Sequence, residues 1–210
     1  MIPLDSPESE RQRALRENLR LVITGVLQNL AISNLAERHQ GLTPAISDCF
    51  CEATRVCLDR HHQPPATFAI HDNGFGSSAT VDWVRADDRC RSAYANETDT
   101  TEWGAYACAL ATTELIRGLV ALRRAETGTG ADYYLAPPGT TLDDLENCVR
   151  LEVSGIDKGT GSDVDVRLLQ KVAQARAGAS NLPALATVVG FKAQKERPLM
   201  MLLVRWSIVA

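Results

Sequence analysis

Two stretches, Gly130-Ala131-Asp132-Tyr133-Tyr134-Leu135 and Arg150-Leu151-Glu152-Val153-Ser154-Gly155, decide how this chain is read. Each sets one carboxylate within a short apolar or aromatic run, the composition of a buried strand. A carboxylate there is costly to bury unless it is paired or bound to a metal. If the two strands are neighbours in one sheet, Asp132 and Glu152 converge at one edge. Two such oxygen donors suit Mg²⁺ (or Mn²⁺), which takes a few carboxylates and completes its shell with water and substrate phosphate.

Working outward, the segment after these strands reads as a helix over residues 163–177. Arg167, Lys171 and Gln174 recur there at i, i+4 and i+7 and so share one face, beside a stripe of Val164, Leu168 and Val172. A positive face next to a carboxylate pair is what phosphoryl-transfer chemistry needs, with Lys158 in the preceding loop as a further cation. Upstream, Cys108, Ala111, Leu115, Leu119 and Leu122 predict a long helix over about 101–124, ended by Thr127-Gly128-Thr129-Gly130. That helix offers a third acid, Glu102 or Glu114. Further strands are expected at 184–191 and 199–208. Strands alternating with helices imply an α/β fold, a mixed central sheet flanked by helices.

The order is a helix with a glutamate, a strand with an aspartate, a strand with Glu-x-Ser and a helix with basic and glutamine residues. It resembles the core of the PD-(D/E)XK nuclease superfamily over about residues 101–191. The resemblance implies Mg²⁺-dependent hydrolysis of phosphodiester bonds in DNA or RNA, in restriction, repair or defence against mobile DNA. Carried over by position, Asp132 and Glu152 hold the metal, Glu102 (or Glu114) assists through a water, and Lys171 stabilises charge. Arg167, Gln174 and Lys158 would contact substrate. Two positions depart from the family pattern: Ser154 stands where lysine is usual, and Ala131 where proline is usual.

Each acid also has a purely structural reading. Asp99 and Glu102 form a capping-box-like pair at a helix start. Glu114 has Arg117 at i+3. Asp132 on an edge strand would face water, and Arg150 would neutralise Glu152 on the same strand face. On that reading the chain is a catalytically inactive nuclease-fold protein serving as an interaction or regulatory partner. A third reading is an unrelated α/β enzyme using His71 and Asp82.

The rest of the chain reads as an N-terminal helical region (1–64) followed by the α/β core (65–210). A helix is expected from Ser6 to about Arg38, striped by Leu19, Val22, Val26, Leu27, Leu30 and Leu35. A second opens at Thr43-Pro44. Strands at 67–70 and 80–84 flank Asp72-Asn73-Gly74-Phe75-Gly76, a hairpin with a loop longer than two residues. With 210 residues, 45% hydrophobic and 23% charged, the composition is that of a globular chain. No run approaches the ~18 apolar residues of a bilayer span. No export leader is read at the N-terminus, so the expected setting is cytoplasmic, with the six cysteines reduced.

Net charge is −4, but it is divided: residues 150–210 carry +4 and the remainder −8. The partners expected are nucleic acid, a protein partner or a second copy of the chain, and no membrane. Cys49, Cys51, Cys57, His61 and His62 lack the paired spacing of structural zinc sites. The glycine loops at 127–130 and 159–161 lack a phosphate-cradle pattern. Trp83, Trp103, Tyr133 and Tyr134 are assigned to packing rather than to stacking on bases.

Overall fold

In chain order the elements are β1 (Gln28–Asn29), a 3-10 turn (Leu35–Glu37), α1 (Pro44–Asp59), β2 (Ala66–Asp72), β3 (Phe75–Val81), α2 (Asp88–Ala93) and α3 (Glu97–Arg117). Then follow β4 (Val120–Arg124), β5 (Tyr133–Ala136), β6 (Val149–Ile156), α4 (Gly161–Ala177), β7 (Ala184–Gly190) and β8 (Met200–Leu202). They are seen in a computed structural model that describes residues 28–73, 75–192 and 200–202. The chain is α/β, with two mixed four-stranded sheets, ordered β1-β3-β2-β8 and β4-β5-β6-β7, packed with helices.

Local chemistry explains most boundaries. Thr43 accepts the Ile46 N–H and Pro44 occupies the first turn, which starts α1. Asn96 accepts the N–H groups of Thr98 and Asp99 and starts α3; Gly118, left-handed at φ 62°, stops it. The long helix therefore begins before Thr101 and ends at Arg117, not Arg124. Leu119 and Leu122 extend the helical spacing past the glycine, but they lie at the entry to β4 and within it. Asp87 accepts the Cys90 N–H and nucleates the short α2, which the apolar pattern does not announce.

The helix expected over residues 6–38 falls partly on residues 1–27, outside the described residues. Over 28–38 the chain forms a two-residue strand and a 3-10 turn. Leu30 N–H donates to Thr80 O at 2.8 Å, tying the segment to β3, and Asn34 adopts φ 52°, which no helix tolerates. The hairpin is tighter than expected. Asp72 pairs with Phe75, leaving only Asn73 and Gly74 between the strands, the Asn-Gly pair favoured in two-residue turns. Of the expected strand 199–208, Met200–Leu202 pairs parallel with β2, and the rest lies outside the described residues.

In the second sheet β4, β5 and β6 are antiparallel, and α4 carries the chain across to β7, parallel to β6. Period-2 alternation divides β6 between two helices. Leu151 and Val153 join Ala105, Cys108, Leu185 and Val189 in the main core on the α3 side. On the other face Val164 and Leu168 of α4 meet Ala186, Val188 and Ile156. Arg150 and Glu152 belong to this α4 face. Gly155 allows α3 to lie close against β6, since a Cβ there would collide with the Thr101 carbonyl and side-chain methyl. The same core takes in Phe68, Ile70, Ala79 and Val81 of the first sheet. Among the described residues, no helix is long and apolar enough to cross a membrane.

Candidate functional site

Asp132 sits at a bend just before β5, one residue outside the strand expected to contain it. Its N–H donates to Leu151 O at 2.7 Å, and its Oδ2 accepts Val153 N–H at 2.8 Å, so β6 fixes both backbone and side chain. Oδ1 accepts the Tyr106 hydroxyl of α3 at 2.7 Å and Arg124 Nη2 of β4 at 3.3 Å. Glu152, only 3% exposed, accepts Lys171 Nζ of α4 at 2.6 Å, and Lys171 also donates to Gln174 Oε1 at 3.2 Å.

Burial and the neighbouring Asp132 charge push the Glu152 carboxyl above the usual range, against the pull of Lys171 and Arg124. Burial and the same Asp132 charge push the Tyr106 phenol up. Tyr106 therefore holds its proton and serves Asp132 as a hydrogen-bond donor.

These groups open into one cleft of about 380 Å³, lined by Glu102, Arg124, Asp132, Glu152, Lys171 and Gln174. A second, of about 420 Å³, shares Glu102, Val153 and Lys171 with it and adds Arg167, Lys158 and Asp157. Asp132, Glu152, Lys171, Glu102, Arg167, Gln174 and Lys158 thus line two adjoining clefts. Comparison with protein-family models, curated proteins and solved structures returns no match to this chain.

The structural readings of the acids fare differently. Glu102 does not cap α3, a role held by Asn96, and it makes no side-chain hydrogen bond among the described residues. Glu114 does not line the clefts. It accepts Arg38 Nε at 2.9 Å through both oxygens and meets His39 Nε2 at 3.3 Å, while Arg117 turns to Asp72 instead. Arg150 does not neutralise Glu152; its guanidinium donates to the carbonyls of Leu182, Thr129 and Ala175.

Asp132 and Glu152 are hard oxygen donors in one cleft. The raised protonation of Glu152 marks a spot where a cation would relieve the crowding of negative charge. Among the described residues no group of three or more His, Cys, Asp or Glu side chains is arranged to hold a metal. A pair of carboxylates still fits Mg²⁺, which keeps water and substrate oxygen in its remaining positions.

Sequence reasoning missed Arg124 and Tyr106. The apolar spacing places Arg124 at the end of a helix and does not single out Tyr106. The Arg124 guanidinium lies 4.8 Å from the ring centroids of both Tyr106 and Tyr133, a cation–π clamp. A signal was available, since a buried tyrosine hydroxyl needs a partner.

Of the cysteines and histidines between 49 and 62, three meet other partners. The Cys57 thiol donates to Thr100 O, His61 Nε2 meets Asp157 Oδ1 at 3.1 Å, and His62 Nε2 meets Phe191 O at 2.6 Å. His71 and Asp82 do not line either cleft. Trp83 is buried with its N–H on Asp59.

Proposed function

We propose that this chain is a divergent nuclease-fold protein resembling the PD-(D/E)XK superfamily, acting on phosphodiester bonds of DNA or RNA. One observation carries the reading. Asp132, Glu152, Lys171 and Glu102, drawn from separate parts of the sequence, line a single polar cleft. The helix, the strand that Asp132 precedes, the strand carrying Glu152 and the following helix occur in the order on which the resemblance rests, with β4 as an additional strand between α3 and β5.

Asp132 and Glu152 would hold Mg²⁺ or Mn²⁺, which when bound activates water and offsets phosphate charge. Tyr106 and Arg124 hold Asp132 in place through hydrogen bonds to Oδ1. Lys171, on α4 rather than two residues after Glu152, brings the ammonium that Ser154 cannot supply. It stands beside Glu152, where it offsets negative charge gathering on a phosphate. Glu102, at the junction of the two clefts, orients water. Arg167, Gln174 and Lys158 contact the polynucleotide on either side. The setting that goes with this reading is cytoplasmic.

Cleavage of a mixed panel of DNA and RNA with Mg²⁺ or Mn²⁺ tests it. Asp132→Ala and Glu152→Ala should each lower the rate on the order of a hundredfold or more, the scale of removing a group that stabilises charge at a reacting centre. Metal-dependent cleavage that survives both substitutions would overturn the assignment.

A second reading is an inactive nuclease fold serving as an interaction partner. It is favoured by the pairing of both acids, Asp132 with Arg124 and Glu152 with Lys171. It predicts no cleavage, and a stable protein complex indifferent to Asp132→Ala.

A further inference from the structure

A third cleft, of about 570 Å³, opens on the α1–α2 side of the molecule and is lined by Asp59, Arg60, Arg85, Arg91, Tyr94 and Glu97. Its chemistry is organised around Asp59, whose side chain is 5% exposed. Asp59 Oδ1 accepts Trp83 Nε1–H at 2.8 Å and Oδ2 accepts Ala86 N–H at 2.7 Å. Two neutral donors therefore already satisfy this buried carboxylate. Arg85 Nε lies 3.5 Å from one oxygen and Arg91 Nη1 3.9 Å from the other, yet both side chains remain about half exposed, at 50% and 49%. Arg85 is further steadied by Gln63 Oε1 at 2.7 Å, and Arg91 by the Ala86 carbonyl and by Asp88. The result is a pair of half-exposed guanidiniums oriented by a buried acid, with that of Arg91 also held by Asp88. Such an arrangement is pre-organised to receive phosphate oxygens.

This cleft adjoins the second cleft of the candidate site. Glu97 lines both it and the cleft holding Lys158 and Arg167. Arg60 bridges them from within: it lines the third cleft while its Nη1 reaches Asp157, on the wall of the second, at 3.3 Å. Two of the acids along this path are engaged by cations, Glu97 by Lys158 and Asp157 by Arg60, while Glu102 makes no ion pair among the described residues.

We propose that the Asp59-braced arginine cleft is a phosphate-binding subsite for the backbone of a polynucleotide whose reacting bond lies in the Asp132–Glu152 cleft. The inference rests on the proposed function. It makes the substrate a chain long enough to run from one cleft to the other, not a nucleotide or dinucleotide.

The test is binding rather than cleavage. Wild type, Arg85→Ala and Arg85→Lys are titrated, with a chelator present so that nothing is cut, against long single-stranded and duplex oligonucleotides, a dinucleotide and inorganic phosphate. Arg85→Ala should weaken long-oligonucleotide binding about fivefold to tenfold at low salt and lower the salt slope by about one, the signature of one lost phosphate contact. Arg85→Lys should keep most of the affinity, and dinucleotide binding should not change. Unchanged affinity and slope in Arg85→Ala would overturn the proposal. So would an equal loss of inorganic phosphate and dinucleotide binding, which would mark a pocket for free phosphate. Arg85-dependent binding of long oligonucleotides by a protein that cleaves none would support the subsite while rejecting the chemistry.

Discussion

Glu114, part-buried, and Glu152, buried, are both acids against a cation, and their environments act on them in opposite directions. Burial alone would raise the Glu114 carboxyl, but hydrogen bonds from His39 and Arg38 outweigh it and hold the group below its usual range. His39 Nδ1 accepts the Ala121 N–H at 2.9 Å, which leaves Nε2 as the proton-bearing nitrogen facing Glu114. Every donor around Glu114 is fixed by something else, since Arg38 also donates to the carbonyls of Ala31, Ser33 and Asn34. For Glu152, burial and the Asp132 charge together exceed what Lys171 returns, and the group sits above its usual range. A carboxylate satisfied by its surroundings holds the fold together. One left under electrostatic tension beside a cleft is, on the proposed function, the acid placed for chemistry.

Truncating the satisfied acid should have the larger effect on stability. Glu114→Ala frees residues 38–39 from α3 and leaves buried His39 without its carboxylate. It should cost roughly 2 kcal/mol, seen as a Tm lower by about 4–8 °C in thermal unfolding. A Tm unchanged by this substitution would erase the contrast between the two acids.

A smaller effect sharpens the contrast through pH. Because Glu114 is held below its ordinary range, its contribution to stability is full above that range and is lost as pH falls toward the lowered value. Glu152, held above its ordinary range, keeps its proton longer in the folded protein than in the unfolded chain, so its contribution declines as pH rises through that interval. Denaturant unfolding from acid to neutral pH should therefore separate two variants. Relative to wild type, Glu152→Gln should gain stability as pH rises, whereas Glu114→Gln should lose it. Slopes of the same sign would show that Asp132 and burial do not govern Glu152.

The acids of the site were legible because energetics leaves few alternatives for a carboxylate in an apolar strand. Asp132 and Glu152 each need a partner, and helical spacing alone places Lys171, Arg167 and Gln174 on one face. The limits of α3 were not legible from the apolar pattern, because Leu119 and Leu122 continue its spacing into a strand. The stop lies in Gly118 alone. Reading that stretch as helix hid Arg124, whose value comes from β4 lying beside β5 and from Tyr106 and Tyr133 beneath it. Glu114 was misassigned for a related reason. Its partners Arg38 and His39 are more than seventy residues away in sequence, and no local spacing points to them.

The smallest expected change in stability is also the most discriminating, and it lies on α3 itself. Glu102 and Glu114 are twelve residues apart on this helix, so their side chains leave it about 120° apart. One faces the clefts and the other faces the Arg38–His39 segment. Glu102 is exposed and makes no side-chain hydrogen bond among the described residues, so Glu102→Gln should move stability by less than about 0.5 kcal/mol. If Glu102 orients water beside Asp132 and Glu152 as proposed, the same substitution should slow metal-dependent cleavage about tenfold, the low end for outer groups that tune a metal site. Glu114→Gln should do the reverse, lowering Tm while sparing cleavage. The pair separates a site from a scaffold within one helix. Loss of cleavage in Glu114→Gln without loss of stability would move the candidate third acid from one end of α3 to the other.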